Sequence, residues 1–240
     1  MNGNNKVLNF ISAYKWHLII WLIGLIVLGN FVYKKVTSPT YLLNGILLSA
    51  EKGEEAASKL AEQFTTKLGY TDTVYKVNFD TEYSYLPNNE DNAEKNFKAT
   101  ERILGQNEEK LLDFVAGPID SMLDISYNSL FAELSTTLTP KQYEALKPYI
   151  LYLDNSVIEK LEDAYENKED LSSIKLPDPK DSENMKEPVA VLIDISSFPD
   201  IAEIYGDSEE TIAMGIMTTA PNHDILFKFI DYIMTQNGGQ

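Results

Sequence analysis

The chain contains no cysteine. That excludes a disulfide framework, a thiolate metal site and a cysteine nucleophile. It also excludes a lipoprotein anchor, which needs that residue. Arginine is almost missing: Arg102 stands alone beside 19 lysines. Histidine occurs twice, as His17 and His223. A Ser-His-Asp triad or a histidine metal site would have to use His223, and nothing in the sequence places a nucleophile beside it. There is no G-x-S-x-G elbow, no P-loop glycine pattern and no EF-hand loop. Internal repeats and low-complexity tracts are absent too. So sparse an inventory argues against an enzyme, and no cofactor or metal is expected.

Acidic residues are missing from the first 35 positions. All 37 of them follow Lys35, against 16 basic residues, a formal charge of −21 for that part of the chain. Such a surface repels nucleic acid and anionic headgroups, so a nucleic-acid partner is excluded, and its first consequence is solubility.

Residues 16–33, WHLIIWLIGLIVLGNFVY, form an uncharged apolar run bracketed by Lys15 and Lys34. Eighteen helical residues rise about 27 Å, close to a hydrocarbon core of about 30 Å. Trp16 and Tyr33 stand at its ends and Lys34 and Lys35 follow, the residue types that favour a membrane interface. The stretch after Val32 lacks the small-residue pattern of a signal-peptide cleavage site. A core helix would carry one polar face, and residues 18–29 have none. The run therefore predicts a retained signal anchor, with lipid bilayer as partner of 16–33. The expected organisation is a cytoplasmic tail over 1–15, a single-pass transmembrane helix over 16–33, a tether over 34–40, and an extracytoplasmic domain over 41–240. The lysine distribution gives only a slight bias in orientation.

Beyond the tether, apolar runs at 41–48, 73–79, 111–117, 189–195 and 211–218 read as strands. Between them lie helical patterns. One covers 51–68 and stops at Gly69. A second is marked by Ala93, Phe97, Thr100 and Leu104 and stops at Gly105. A third covers 119–134, with Asp120 or Ser121 as N-cap. Thr139-Pro140-Lys141-Gln142 is a capping-box start, and Ser156 to Glu159 repeats the signal. Residues 166–188 read as surface loop, 199–205 as a short helix, and Asn222 as the cap of a final helix. The β-α-β-α-β order predicts an α/β fold: a mostly parallel sheet of about five strands with helices on both faces.

Three segments carry a family resemblance: LLDFVAGPIDSMLDISYNSLFAELSTTLTPKQYEAL (111–146), PVAVLIDISS (188–197) and TIAMGIMTTAPNHDILFKFIDYIM (211–234). They resemble the type 2 periplasmic, or extracellular, solute-binding proteins, and more closely their short membrane-anchored relatives from Gram-positive bacteria. Two departures stand out. The family's Gly-x-Phe-x-Asp-Leu is here Ser129-Leu130-Phe131-Ala132-Glu133-Leu134, so Asn128 is left to supply any left-handed backbone. Only 38 residues separate Ile150 from Val189, too few for a second lobe. The resemblance thus implies a single lobe, half of a solute-trapping cleft. It implies action beside a membrane protein such as a transporter or sensor.

Ligands of open parallel sheets bind at the carboxyl ends of strands. Those ends place the candidate ligand-binding residues at Asp80, Glu82, Tyr83, Tyr85, Gly117, Asp120, Ser121, Asp194 and Ser196. Backbone N–H groups near Gly117 suit an anion, the carboxylates a cation or hydroxyl-rich solute, and the tyrosines stacking. Two functions follow: an interaction module working with a membrane partner, or a small-ligand receptor for a sugar, peptide or cation in an open groove. An envelope enzyme is the third and weakest reading.

Overall fold

The structure, a computed structural model, describes residues 19–29, 39–71, 74–87, 90–168, 174–206 and 210–235. The chain divides into two units. One holds the residues up to Thr40 with Asp72–Val74, the other Tyr41–Thr71 with Tyr75–Gln240.

In the first unit a helix, α1, covers residues 19–29, and its side chains are exposed. Among the described residues no helix is long and apolar enough to cross a membrane. This corrects the expected transmembrane helix and the single-pass signal anchor built on it. An apolar run shows which side chains would suit lipid, and does not by itself establish a helix of spanning length. Trp16, Tyr33, Lys34 and Lys35 lie outside the described residues.

The second unit is built on one six-stranded sheet. In chain order the elements are β1 (Thr40–Leu47), α2 (Glu54–Lys67), β2 (Tyr75–Asp80), α3 (Ala93–Glu108), β3 (Phe114–Pro118), α4 (Ile119–Ser126), α5 (Leu134–Thr137), α6 (Pro140–Leu146), β4 (Ile150–Asp154), α7 (Asn155–Glu166), β5 (Pro188–Asp194), α8 (Pro199–Tyr205), β6 (Ile212–Ile216) and α9 (His223–Thr235). The strand order is β2-β1-β3-β6-β5-β4. Only the β2/β1 and β1/β3 pairs are parallel. β6 runs antiparallel to both β3 and β5, and β4 antiparallel to β5.

The expected mostly parallel, five-stranded sheet is therefore corrected to a mixed sheet of six. Helical connections allow a strand to return in either direction, so element order did not fix direction. β4 escaped notice because no glycine separates it from the helical patterns on either side. Its alternating ILYLD is squeezed between the 3-10 turn at Lys147–Tyr149 and α7.

β3 and β6 are buried along their whole lengths, as strands covered on both faces must be. Alternate residues feed two cores. Leu43, Leu47, Phe114, Met214 and Ile216 pack with α2, α8 and α9. Ile46, Leu48, Val115, Ala213 and Met217 pack with α3 and α4. Close packing leaves no room for a side chain at Gly45, where a Cβ would come within 2.2 Å of the Phe114 ring.

Several boundaries differ from the sequence reading for local reasons. Gly69, at φ 88°, does follow the end of α2. Gly105 does not stop α3, which continues to Glu108; Lys110 takes the left-handed conformation instead. α4 ends at Ser126, and Ser129 rather than Asn128 adopts positive φ. Pro118 occupies the N-cap of α4, so neither Asp120 nor Ser121 does. At α7 the Asp154 carboxylate accepts from Ser156 N (3.0 Å) and Oγ (2.8 Å), so Asp154 takes the role expected of Ser156.

Candidate functional site

Gly117, Ala213 and Asp194 form one row across the sheet, so the carboxyl ends of β3 and β5 share an edge with those of β1 and β2. The residues expected there separate into three groups.

The first surrounds Gly117. The segment after β2 folds back as a strap over the strand ends. Ser49 N donates to Tyr83 O (2.9 Å), and Ser121 Oγ to Tyr85 O (2.8 Å). Ser49 Oγ lies 3.3 Å from both Tyr85 N and Tyr85 O. The Tyr85 hydroxyl donates to the Asp124 carboxylate, and burial together with that bond raises its pKa. Ser121 is fully buried, and a Cβ on Gly117 would meet Leu48 Cβ at 2.9 Å. This is a seal over the strand ends. Asp120 is exposed and takes no part in it.

The second group lies between the end of β2 and α3. Arg102, the chain's single arginine, is fixed from three sides. Its Nη2 pairs with Asp80 Oδ2 at 3.2 Å, and its guanidinium carbon sits 5.8 Å from the Tyr83 ring centre. The Gln106 amide lies between two sets of donors. Turned one way its oxygen accepts from Asn44 Nδ2 (3.1 Å); turned the other it accepts from Arg102 Nη2 (2.7 Å) and Nε (2.9 Å). Beside Arg102 opens a groove of about 550 Å³ whose wall includes Glu82, Tyr83, Glu101, Gln106 and Glu109. Lys98, also on its wall, is held by Glu94 at 2.7 Å. Glu82, Glu101 and Glu109 make no ion pair among the described residues.

Behind this group runs a buried polar chain. Asn78 Nδ2 donates to Asn44 Oδ1 (2.8 Å), and Asn44 N to Asp113 Oδ2 (2.8 Å). Asn222, just before α9, donates its N–H to Asp113 Oδ1 (2.8 Å). Asp113 is wholly buried, and burial raises its pKa against those hydrogen bonds. It was legible as the one charge inside the apolar run LLDFVAG. Arg102 was visible only as a rarity of composition, because its partners come from a different element.

The third group is at β5. Asp194 pairs with Lys180 at 2.9 Å and accepts from Ser196 N (3.1 Å) and Oγ (2.7 Å). Burial opposes ionisation there, but these bonds outweigh it and lower the Asp194 pKa. Ser196 Oγ also accepts from Ile212 N at 2.7 Å. A cavity of about 290 Å³ opens beside this pair, between Tyr149, Tyr152, Lys180 and Asp194.

Among the described residues no three histidine or carboxylate groups are placed to hold a metal. His223 Nε2 is buried and makes no hydrogen bond. Neither the known protein families, nor the curated proteins, nor the solved structures contain a significant match to this chain.

Proposed function

We propose that this chain is a binding module, a one-lobed relative of the solute-binding proteins, whose working surface is the groove beside α3. The observation that carries this reading is the fixing of Arg102 by Asp80, Tyr83 and Gln106 at the wall of an open depression of about 550 Å³. That volume lies in the range of ligand sites. Two further features support it. The segment between β4 and β5 supplies α7 and a loop laid back on β4, with Tyr152 N donating to Pro179 O at 2.8 Å, rather than a second lobe. The hydroxyls of Ser121 and Ser196 are engaged in structural hydrogen bonds, which argues for docking over reaction.

The test is a photo-crosslinking residue placed at position 101 of the full chain in its native cells, with position 141 on α6 as control. Specific adducts from 101 alone are expected. Identical adducts from both positions, or none from either, overturn the reading. A small-solute receptor is the second reading, favoured by the cavity beside Lys180 and Asp194. A saturable thermal shift with a sugar, peptide or divalent cation, abolished by Lys180→Met, would select it.

A further inference from the structure

The helix α3 carries two apolar stripes. Ala99, Ile103 and Gln106 face the sheet and are buried. On the opposite side Glu94, Phe97, Glu101, Leu104 and Glu108 are all exposed, and Leu111, exposed as well, follows the turn at the helix end. Phe97 is 67 % exposed and Leu111 53 %. The steps from Glu94 to Glu108 run three, four, three, four, so acid and apolar groups alternate along one seam of the helix. Leu86, also exposed, is held against the start of α3, where the Asn96 side-chain amide brackets its backbone at 2.9 and 2.8 Å. Single exposed apolar residues need no explanation, but a seam at this spacing is what one helix presents to another.

We infer that this seam is the docking face for a basic amphipathic helix of a partner protein, an inference that rests on the binding-module reading above. Charge selects the occupant. Glu101 and Glu108, on the seam itself, make no ion pair among the described residues, and the chain beyond Lys35 carries a formal charge of −21. A second copy of this chain would lay glutamate-bearing seams together. A helix with lysine or arginine alternating with leucine at the same three-four spacing meets both the carboxylates and Phe97 and Leu104. The 16 residues of α3 extend about 24 Å, so the matching segment is about four turns long. Glu101 also borders the Arg102 groove, so a side chain leaving the partner helix beside it would enter that groove.

The experiment uses the full chain and a synthetic peptide of about 18 residues with leucine and lysine alternating at three-four spacing. A permuted peptide of identical composition is the control. Fluorescence anisotropy at about 50 mM salt reads the affinity. The patterned peptide is expected to bind at least about tenfold more tightly than the permuted one. A Phe97→Ser/Leu104→Ser chain should lose about tenfold. A Glu101→Lys/Glu108→Lys chain should lose binding and regain it with a peptide carrying glutamate in place of lysine. Equal affinity for the two peptides, or variants that bind as tightly as the parent chain, overturns the inference. So does self-association of the full chain that Phe97→Ser/Leu104→Ser abolishes. If the peptides fail while position 101 still gives specific crosslinks in cells, only the occupant is wrong; if both fail, the binding-module reading falls too.

Discussion

Two buried aspartates, one in each half of the sheet, answer burial in opposite ways. Asp113 opens β3 in the parallel half, and Asp154 closes β4 at the antiparallel edge. Burial works against ionisation of both. At Asp154 it is overcome by Ser156 N and Oγ, Lys186 N (2.9 Å) and Glu187 N (3.1 Å), and the pKa falls. Asp113 has the backbone N–H groups of Asn44 and Asn222 and a longer bond from Asn222 Nδ2 (3.3 Å); burial prevails and the pKa rises. Asp113 is both the deeper of the two and the one with fewer donors, and each difference holds its carboxyl back from ionising.

Removing each carboxylate sharpens the contrast. Asp154→Ala strands the N–H groups of Ser156, Lys186 and Glu187, and should cost about 3 kcal/mol in urea unfolding. Asp113→Asn keeps one acceptor oxygen and should cost about 1–2 kcal/mol. Their pH dependences should oppose each other. The raised Asp113 pKa contributes stability that is full below the unfolded carboxyl value of about 4 and is lost as pH rises through the folded one. The deficit of Asp113→Asn should therefore shrink from pH 4 toward neutrality. The lowered Asp154 pKa contributes stability above about pH 4 that is lost as pH falls, so the deficit of Asp154→Ala should shrink on acidification. Parallel pH trends in the two variants would break the comparison. A smaller effect, about 1 kcal/mol, is expected from Tyr85→Phe, which frees Asp124 from the strap and should show as a lower Tm. Smallest of all, Lys180→Met breaks a half-exposed pair with Asp194 and should change stability by less than about 1 kcal/mol.

Periodicity located five strands because their apolar runs are long enough to stand out. It did not give strand direction, which depends on how β6 inserts between β3 and β5. It found α3, but by its exposed stripe. Ala93, Phe97, Thr100 and Leu104 form a proper helical stripe, but Phe97 and Leu104 face solvent, while Ala99, Ile103 and Gln106 face the sheet. With two stripes on one helix, spacing alone has no means of ranking them; packing does. The strand-end rule named Glu82 and Tyr83, which line the groove, and Asp80, which pairs with Arg102 at its wall. It could not foresee that Tyr85, Ser121 and Ser49 would be spent closing the neighbouring strand ends. Such strap bonds use backbone groups, which every residue possesses.

The insertion of β6 has a consequence for how the protein comes into being on the ribosome. The strand that completes the middle of the sheet is the latest of the six in chain order, and after it comes the helix that Asp113 grips through Asn222. Until those segments emerge, the nascent chain holds β3 with one open flank, a template for pairing with a neighbour. Emergence of β6 and α9, and not the appearance of the early strands, is the event that licenses this sheet to close.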